Sequence, residues 1–175
     1  MVQQVTIAIM RGIEFEVVWS DQDVVEYNVT CSNGLFCGAS RMYASHDDLA
    51  KLADVLSGFP LDAKDSRSVE LGTFDSTMAG GGIQMHFFCV DSVGHAIAVT
   101  KLRADSCQAM GEPQSVCLSV PVEAGAIDSF LRQAHSLGDR LGAKAYLYMA
   151  DHTVTWVQRW FASGVQNSAR PPKRT

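Results

Sequence analysis

Long apolar runs, a secretion signal and a surplus of basic residues are all missing from this sequence. No apolar run approaches the ~20 residues that are needed to cross a bilayer. The first residues, MVQQVTIAIMRG, lack the basic start, long apolar centre and small-residue cleavage site of a signal peptide. They alternate instead, with Val5, Ile7 and Ile9 on one side, which is typical of a strand. We therefore expect a cytoplasmic protein that has no membrane partner.

Basic residues are scarce in the first sixty positions. This part has three basic residues (Arg11, Arg41 and Lys51) and eight acidic ones, so it carries −5, which is the net charge of the whole chain. Because phosphate binding needs basic patches, the imbalance argues against nucleic acid as a ligand. It suits a basic protein partner, with an ordinary solvated surface as the alternative. The candidate partner-binding residues are Glu14, Glu16, Glu26, Asp47 and Asp48.

The motifs of common catalytic sites are also absent. There is no Gly-x-Ser-x-Gly turn, and Ser45, His46 and Asp47 are neighbours at a predicted helix start, where capping explains the Ser and the Asp. The glycines at 80–82 precede a strand, whereas a phosphate-binding loop follows a strand and opens a helix. We interpret them as a loop, and we predict no catalytic residue, no cofactor and no enzyme activity.

The histidines and cysteines show no convergent metal-ligand spacing. His86 and Cys89 are three positions apart on a predicted strand, so their side chains point to opposite faces and cannot share an ion through that strand. His95 follows a turn that contains Asp91. We predict no metal site. One alternative stays open, which is a small-molecule-binding or enzymatic domain with a pocket near His86, His95 and Cys89.

The cysteines are odd in number, five in all, and follow no regular framework. Asn33-Gly34 between two apolar runs predicts a hairpin with a two-residue turn. That register places Thr30, and not Cys31, opposite Cys37. We therefore expect reduced thiols that lie mostly in the core.

Apolar residues three and four positions apart predict two amphipathic helices. The first follows Ser45, which forms a capping-box pattern with Asp48, and it ends at Gly58. The second follows Pro121, which we expect to end the preceding strand, and it ends at Gly138. The predicted buried positions are Leu49, Leu52, Ala53 and Leu56 in the first helix and Ile127, Phe130, Leu131, Ala134 and Leu137 in the second.

Strict alternation of apolar and polar residues predicts the strands. In the first two strands, matching the apolar rows places Val17 opposite Tyr27 and Trp19 opposite Val25. The connecting loop must then contain an odd number of residues, centred on Gln22. Glutamates occupy the opposite, wet faces of both strands.

The order of the predicted elements indicates the fold class. Residues 13–57 and 83–137 each contain three strands followed by a helix, and one extra strand lies between them. We predict an α+β fold in which a mostly antiparallel β-sheet meander packs against the two helices.

Three regions are expected along the chain. Residues 1–142 form a single α+β domain, residues 143–164 form a strand and helix extension that packs on it, and residues 165–175 form a flexible basic tail.

The extension contains a strand at 145–149 and a short C-terminal aromatic helix at 153–161, where Trp156 and Trp160 stand at i and i+4. We expect this helix to pack on the domain. If Trp156, Trp160 and Phe161 are exposed instead, they offer a surface for homo-oligomerisation.

A short series of residues resembles the pattern of a known protein family. Gly38 and Tyr43, Asp48-Leu49, Leu56, Phe59-Pro60 and then Gly94-His95 resemble, over about residues 13–137, bacterial immunity proteins of the WapI type and related uncharacterised small bacterial families. The resemblance implies a protein that binds and neutralises a cognate toxin without a cofactor, and it transfers no site residues. Our first hypothesis is therefore a protein-binding, immunity-like domain, and the second is the pocket domain described above.

Overall fold

The strands and helices of the computed structural model, which describes residues 10–105 and 114–151, follow the predicted order. They are β1 (Gly12–Ser20), β2 (Val25–Ser32), β3 (Cys37–Ala44), α1 (Asp48–Leu56), β4 (Ser66–Gly72), β5 (Gly82–Cys89), β6 (His95–Arg103), β7 (Ser115–Glu123), α2 (Ala124–Ser136) and β8 (Lys144–Tyr148). The α+β class and the antiparallel pairing are confirmed. The predicted strand at Val5, Ile7 and Ile9, the aromatic helix at 153–161 and the basic tail lie outside the described residues.

Within the described residues, the strands divide into two four-stranded sheets, a division that the sequence did not indicate. The first sheet has the order β3-β2-β1-β8 and the second the order β4-β5-β6-β7. The strand after α2 therefore returns to the first sheet, where Ala145 pairs with Phe15. The extra strand between the two units, β4, pairs with β5 in the second sheet. The pairing of β8 with β1 and of β4 with β5 thus links the two halves of the chain through backbone hydrogen bonds.

The inward side chains of both sheets and the apolar faces of both helices form one core cluster. Phe130 of α2 packs on Phe15 of β1, with ring centroids 5.6 Å apart. Phe59, just after α1, packs on Phe87 of β5, with centroids 5.9 Å apart. All nine apolar positions predicted for the two helices are buried, which confirms both helical faces.

The start of α1 differs in detail from the predicted capping box. The carboxylate of Asp48 accepts a hydrogen bond from the backbone N–H of Ser45 at 2.8 Å. The helix begins at Asp48 after Asp47, whose side chain makes no capping hydrogen bond. Half of the reciprocal pattern is therefore formed. The predicted stop at Gly58 is confirmed by its left-handed φ of 70°.

The predicted pairing of the first two strands is correct at one position and wrong at the next. Val17 pairs with Tyr27 as predicted, but a β-bulge follows, and Trp19 pairs with Glu26 instead of Val25. The bulge adds one residue to β1, so Ser20 pairs with Val25 and the loop holds four residues, an even number. Its turn is closed by Asp21, whose carboxylate accepts hydrogen bonds from the backbone N–H groups two and three residues on, at 2.8 and 2.9 Å.

The second hairpin has a longer turn than predicted. Cys37 pairs with Ser32, and Thr30 pairs with Ala39, so the predicted two-residue turn and the pairing of Thr30 with Cys37 are wrong. The side-chain oxygen of Asn33 accepts hydrogen bonds from the backbone N–H groups two and three residues on, at 3.1 and 3.0 Å. This Asx turn stabilises a four-residue loop in place of the two-residue turn.

Two further expectations are corrected. The predicted stop at Pro121 is wrong, because β7 continues to Glu123; as the edge strand of its sheet, β7 tolerates a residue without an N–H. The thiols are not mostly in the core: of the four described, which are all unpaired, Cys31 is buried, Cys89 is half-buried, and Cys37 and Cys117 are exposed.

The loop between β4 and β5 is fixed by a buried arginine. Arg103, only 6% exposed, donates hydrogen bonds to the carbonyl oxygens of Thr73 at 3.2 Å, Asp75 at 2.8 Å and Gly80 at 3.0 Å. The backbone N–H of Gly81 donates to Arg41 of β3 at 2.7 Å. Gly80 and Gly81 therefore form a structural loop that joins the two sheets, as predicted, whereas Gly82 is the first residue of β5 and not part of the loop.

Candidate functional site

The outward side chains of the first sheet form a polar surface, which we call the first-sheet outer face. The register of the four strands places the same side of each strand on this surface. Its members are Ala39, Arg41 and Tyr43 on β3, Glu26, Asn28 and Thr30 on β2, Glu14, Glu16 and, after the bulge, Trp19 on β1, and Lys144, Tyr146 and Tyr148 on β8. All three glutamates that the sequence analysis selected therefore lie on one surface.

Glu14 and Glu16 share one cation that the sequence analysis did not identify. The ammonium of Lys144 lies 3.2 Å from the carboxylate of Glu14 and 3.3 Å from that of Glu16. Partial burial opposes the charge on Lys144, but the hydrogen bonds that its ammonium donates to both carboxylates, together with their charges, raise the pKa of Lys144 above the ordinary value for lysine. This three-residue cluster therefore carries a net charge of −1.

Glu26 is paired with Arg41 of the neighbouring strand at 3.5 Å. Its side chain is only 13% exposed, whereas that of Arg41 is 50% exposed. The three glutamates and two cations of the face sum to −1, which is a much weaker field than the acidic residues alone would give. A partner would therefore contact the more exposed groups, including Arg41 and the tyrosines, before it reached the carboxylates.

Three tyrosines give this polar face an aromatic component. Tyr146 and Tyr148 stack with ring centroids 5.5 Å apart and an interplanar angle of 14°. Tyr148 is 52% exposed and Tyr43, on the opposite edge strand, is 40% exposed. Burial, a hydrogen bond with Glu14 and the charge of that residue raise the pKa of Tyr146. Tyrosine and arginine are enriched in protein–protein interfaces, where charged cores are rare.

The structure separates the other two candidate acids from this surface. Asp47 and Asp48 at the start of α1 both contact Lys51, at 2.9 and 3.2 Å. The hydrogen bond from Lys51 is the largest cause of the lowered pKa of Asp47. Burial, together with the charge of Asp48, raises the pKa of the inward-facing Tyr27 to about 12. Asp48 thus lies near the inward-facing side chain of Tyr27, whereas the three glutamates lie on the first-sheet outer face.

The alternative site near His86, His95 and Cys89 is divided by the second sheet. His86 lies on the outer face of β5 and contacts the Ser68 hydroxyl through Nδ1 at 2.9 Å. Cys89 packs against the core on the opposite face, and its Sγ donates to the carbonyl oxygen of Asp62 at 3.3 Å. The predicted opposition of His86 and Cys89 is therefore confirmed.

The Nδ1 atom of His95 forms a hydrogen bond with the carboxylate of Asp91 in the turn before β6, as the sequence indicated. His86, without either of the other two residues, lines a shallow concave surface of about 590 Å³ on the outer face of the second sheet. Glu70, Lys101 and Cys117 are among the other residues that line it. The three predicted pocket residues therefore do not form one pocket in the described part of the chain.

Sequence reasoning missed Lys144, Tyr146 and Tyr148, which complete the outer face. The alternation of KAYLY does indicate that these three residues share one side of a strand. It contains no signal for which sheet the strand joins, because backbone pairing between distant segments does not depend on a local pattern. The alternating spacing of these residues was therefore the only sequence signal, and it does not identify the neighbouring strand.

The described residues offer neither a cluster of metal ligands nor a membrane-spanning helix. No three histidine, cysteine, aspartate or glutamate side chains lie close enough to hold a metal ion within residues 10–105 and 114–151. Neither described helix has the length and apolar character that a membrane crossing requires. Comparisons with protein-family models, with curated proteins and with solved structures give no match to this chain.

Proposed function

We propose that this chain is a non-enzymatic protein-binding domain and that the first-sheet outer face recognises its partner. The observation that carries the proposal is the joint placement of three glutamates, Arg41, Lys144 and three tyrosines on one side of a single sheet. Flat faces of rigid sheets hold such groups in fixed positions, which lowers the entropy cost of association.

The chemistry of the face defines the partner class. The exposed rings of Tyr43 and Tyr148 flank a centre of partly buried carboxylates that are paired with Arg41 and Lys144. A partner with an arginine or lysine beside an apolar group can pack on the rings and share the carboxylates. A basic protein fits this arrangement, and the resemblance to WapI-type immunity proteins makes a bacterial toxin the proposed partner.

The experiment is a pull-down with the tagged protein from its own host, followed by affinity measurement on any captured protein. Tyr148→Ala is expected to weaken binding by about tenfold, or 1.4 kcal/mol, because an interface tyrosine is commonly a hot spot. The triple variant E14Q/E16Q/E26Q keeps the size of each side chain but leaves Arg41 and Lys144 unpaired, so it is expected to weaken the binding of a basic partner and to reverse the salt dependence of binding. Leu61→Ala, at an exposed apolar residue away from this face, is the matched control.

A second pair of variants separates the two groups of candidate acids. D47N/D48N is expected to leave affinity unchanged, because these residues lie at the start of α1 and not on the outer face. If D47N/D48N abolishes binding and the triple glutamine variant does not, the helix start is the binding surface and the proposal is wrong. If a captured protein binds all variants equally, the first-sheet outer face is excluded.

The concave surface beside His86 supports a second candidate function, small-molecule binding. Its volume of about 590 Å³ lies in the range of ligand pockets, and it offers an imidazole, a carboxylate, an ammonium and a thiol. Thermal-shift screening with small carboxylates, phosphates and amines tests this candidate. A ligand whose stabilisation is lost in His86→Ala and retained in Tyr148→Ala would favour it over the protein-binding function.

A further inference from the structure

The edge strand β4 lacks the features that block pairing at other edges. It is the first strand of the second sheet, and among the described residues only β5 forms hydrogen bonds with the backbone of residues 66–72. The opposite edge, β7, contains Pro121, and on the edge strand β3 the carbonyl oxygen of Arg41 accepts from the Gly81 N–H. β4 contains neither proline nor lysine, which commonly protect an edge.

The phase of the β4–β5 ladder determines which backbone groups face outward. The Thr73 N–H donates to the carbonyl oxygen of Gly81 at 2.9 Å, in register with the ladder. Alternate residues of an antiparallel strand direct their backbone groups to alternate sides. Leu71, two positions before Thr73, therefore faces β5, whereas Ser68 and Glu70 direct their N–H and carbonyl groups away from the sheet.

This edge forms one wall of a groove. Residues 68–72 of β4 and one face of α1 line a concave surface of about 370 Å³. The α1 residues that line it are Asp48, Lys51, Leu52 and Val55. Residues 68–70 also line the separate concave surface beside His86. The edge is therefore accessible both from the side of α1 and from the outer face of the second sheet.

The two walls of the groove are fixed to each other by Arg67 of β4. Its guanidinium donates to the carbonyl oxygens of Val55 and Ser57, at 2.9 and 2.6 Å, at the end of α1. The same group lies 5.6 Å from the centroid of the Phe59 ring. Because the helix and the strand are already joined, an incoming segment would not have to order them.

The two sides of the groove favour different side chains. In a strand added to β4, residues opposite Ser68 and Glu70 lie on the outer face, and the residues between them turn towards α1. The outer side presents the carboxylate of Glu70, which accepts a hydrogen bond from Gln84 at 2.6 Å. The α1 side presents Leu52 and the half-exposed Val55. Alternating basic and apolar residues therefore suit this edge.

The charge around the groove is negative. Lys51 is already paired with both Asp47 and Asp48, and with Glu70 these four groups sum to −2. We propose that β4 binds an extended segment of a partner protein, in which basic and apolar residues alternate, as a fifth strand of the second sheet. This goes beyond the proposed function, because the first-sheet outer face belongs to the other sheet.

Calorimetric titration of the full chain with a capped synthetic peptide, KVKVKVK, tests the proposal. We expect saturable binding at one site. The peptide KVKPKVK has the same charge, but its proline lacks an N–H for the ladder, so it should bind about tenfold more weakly. Tyr148→Ala should leave the affinity for KVKVKVK unchanged, which separates this edge from the first-sheet outer face.

Amide hydrogen exchange measured by NMR locates the added strand. In the free protein, the N–H groups of Ser68 and Glu70 should exchange rapidly, whereas that of Leu71 is protected by β5. Saturation with KVKVKVK should slow exchange at Ser68 and Glu70 at least about tenfold and leave Leu71 protected.

A pair of lysine variants tests the α1 wall. Val55→Lys places a cation in the groove at an exposed position and is expected to weaken KVKVKVK binding about tenfold. Val93→Lys, at a residue that is 75% exposed in the turn before β6, adds the same charge elsewhere. It is the matched control and should change the affinity less than about twofold.

Four outcomes overturn the proposal. The first is no binding of KVKVKVK, and the second is equal binding of both peptides, which would show attraction by charge alone. The third is binding without slower exchange at Ser68 and Glu70, which would place the peptide elsewhere. The fourth is protection of these two amides in the free protein. Protection that rises with concentration, with a doubled mass in light scattering, would make a second copy the occupant.

Discussion

The side-chain amide of Gln133 in α2 makes two hydrogen bonds with the backbone of Tyr146 in β8. Its Oε1 accepts from the Tyr146 N–H at 3.0 Å, and its Nε2 donates to the Tyr146 carbonyl oxygen at 3.4 Å. Because β8 is an edge strand of the first sheet, no other strand among the described residues pairs with it on that side. The glutamine amide satisfies both backbone groups of Tyr146 at this edge, and we expect it to hinder pairing with another chain.

Replacement of Gln133 by alanine tests this edge protection. We expect Gln133→Ala to lower the free energy of unfolding by about 1–3 kcal/mol, because both backbone groups of Tyr146 lose their partner. We also expect concentration-dependent association through β8. Urea unfolding and light scattering measure the two effects. Arg132→Ala, at the exposed neighbouring position, should remain within about 0.5 kcal/mol of the parent protein; an equal loss in both variants would contradict the role of Gln133.

The close approach of the two sheets at Gly81 gives a second expectation. A Cβ at this position would collide with the Ser40 hydroxyl and the Arg103 carbonyl oxygen. We expect Gly81→Ala to destabilise the protein by about 3 kcal/mol or more, since the obstructing groups belong to buried, hydrogen-bonded structure. Gly125→Ala is the matched control, because nothing lies within 4 Å of its added Cβ and alanine is favoured in a helix by up to about 1 kcal/mol. Thermal unfolding of both variants checks the opposite signs.

The ion pair of Asp65 and Arg67 sets an acid dependence of stability. The hydrogen bond from Arg67 is the largest cause of the lowered pKa of Asp65, whose ordinary value is 3.8. A carboxyl group whose pKa is lower in the folded state contributes stability that is complete above its unfolded pKa. That contribution is lost as the pH falls through the folded pKa. We therefore expect wild-type protein to exceed Asp65→Asn in stability at pH 7, and the difference to shrink as the pH falls below 3.8 and through the lower folded pKa of Asp65.

Urea titrations at a series of pH values measure this difference, and Arg67→Met supplies its control. Arg67 also donates to the carbonyl oxygens of Val55 and Ser57, at 2.9 and 2.6 Å, at the end of α1, so its removal costs stability at every pH. In the Arg67→Met background, the pH-dependent part of the Asp65→Asn effect should shrink. A difference that is undiminished in that background would assign the dependence to another group.

The cysteines are expected to differ strongly in reactivity. Burial raises the pKa of the Cys31 thiol from 9.0 to about 12, against a smaller opposing effect of a hydrogen bond with Thr100. Such a shift lowers the thiolate fraction about a thousandfold. Cys37 and Cys117 are exposed, so iodoacetamide should label them first, as peptide mass mapping would show. Labelling of Cys31 at an equal rate in folded protein would contradict its burial.

Local periodicity determined much of this fold. The helical faces of α1 and α2, the stop at Gly58 and the strand alternation follow from residues that are neighbours in the chain. Side-chain spacing alone decides which residues share a face. The opposition of His86 and Cys89 across β5 could be read directly from their separation of three.

Turn lengths depended on side-chain contacts that a residue-type pattern does not specify. Asn33 and Asp21 each accept hydrogen bonds from nearby backbone N–H groups and close four-residue loops, where a two-residue turn and a loop with an odd number of residues were predicted. The bulge between Val17 and Trp19 then shifted the register by one residue. A shift of this kind exchanges the two faces of a strand, which is why Trp19 is half exposed and does not pair with Val25.

The sequence by itself determined the element types, the buried faces and the placement of the three glutamates on wet strand positions. The tertiary structure alone decided that the strands form two sheets and that β8 returns to β1. That return brings Lys144 to Glu14, 130 positions away in the chain, and Gln133 to the edge of the same strand. The reason is physical: backbone hydrogen bonds between strands are alike for almost every residue type, so pairing partners are selected by the packing of the whole core.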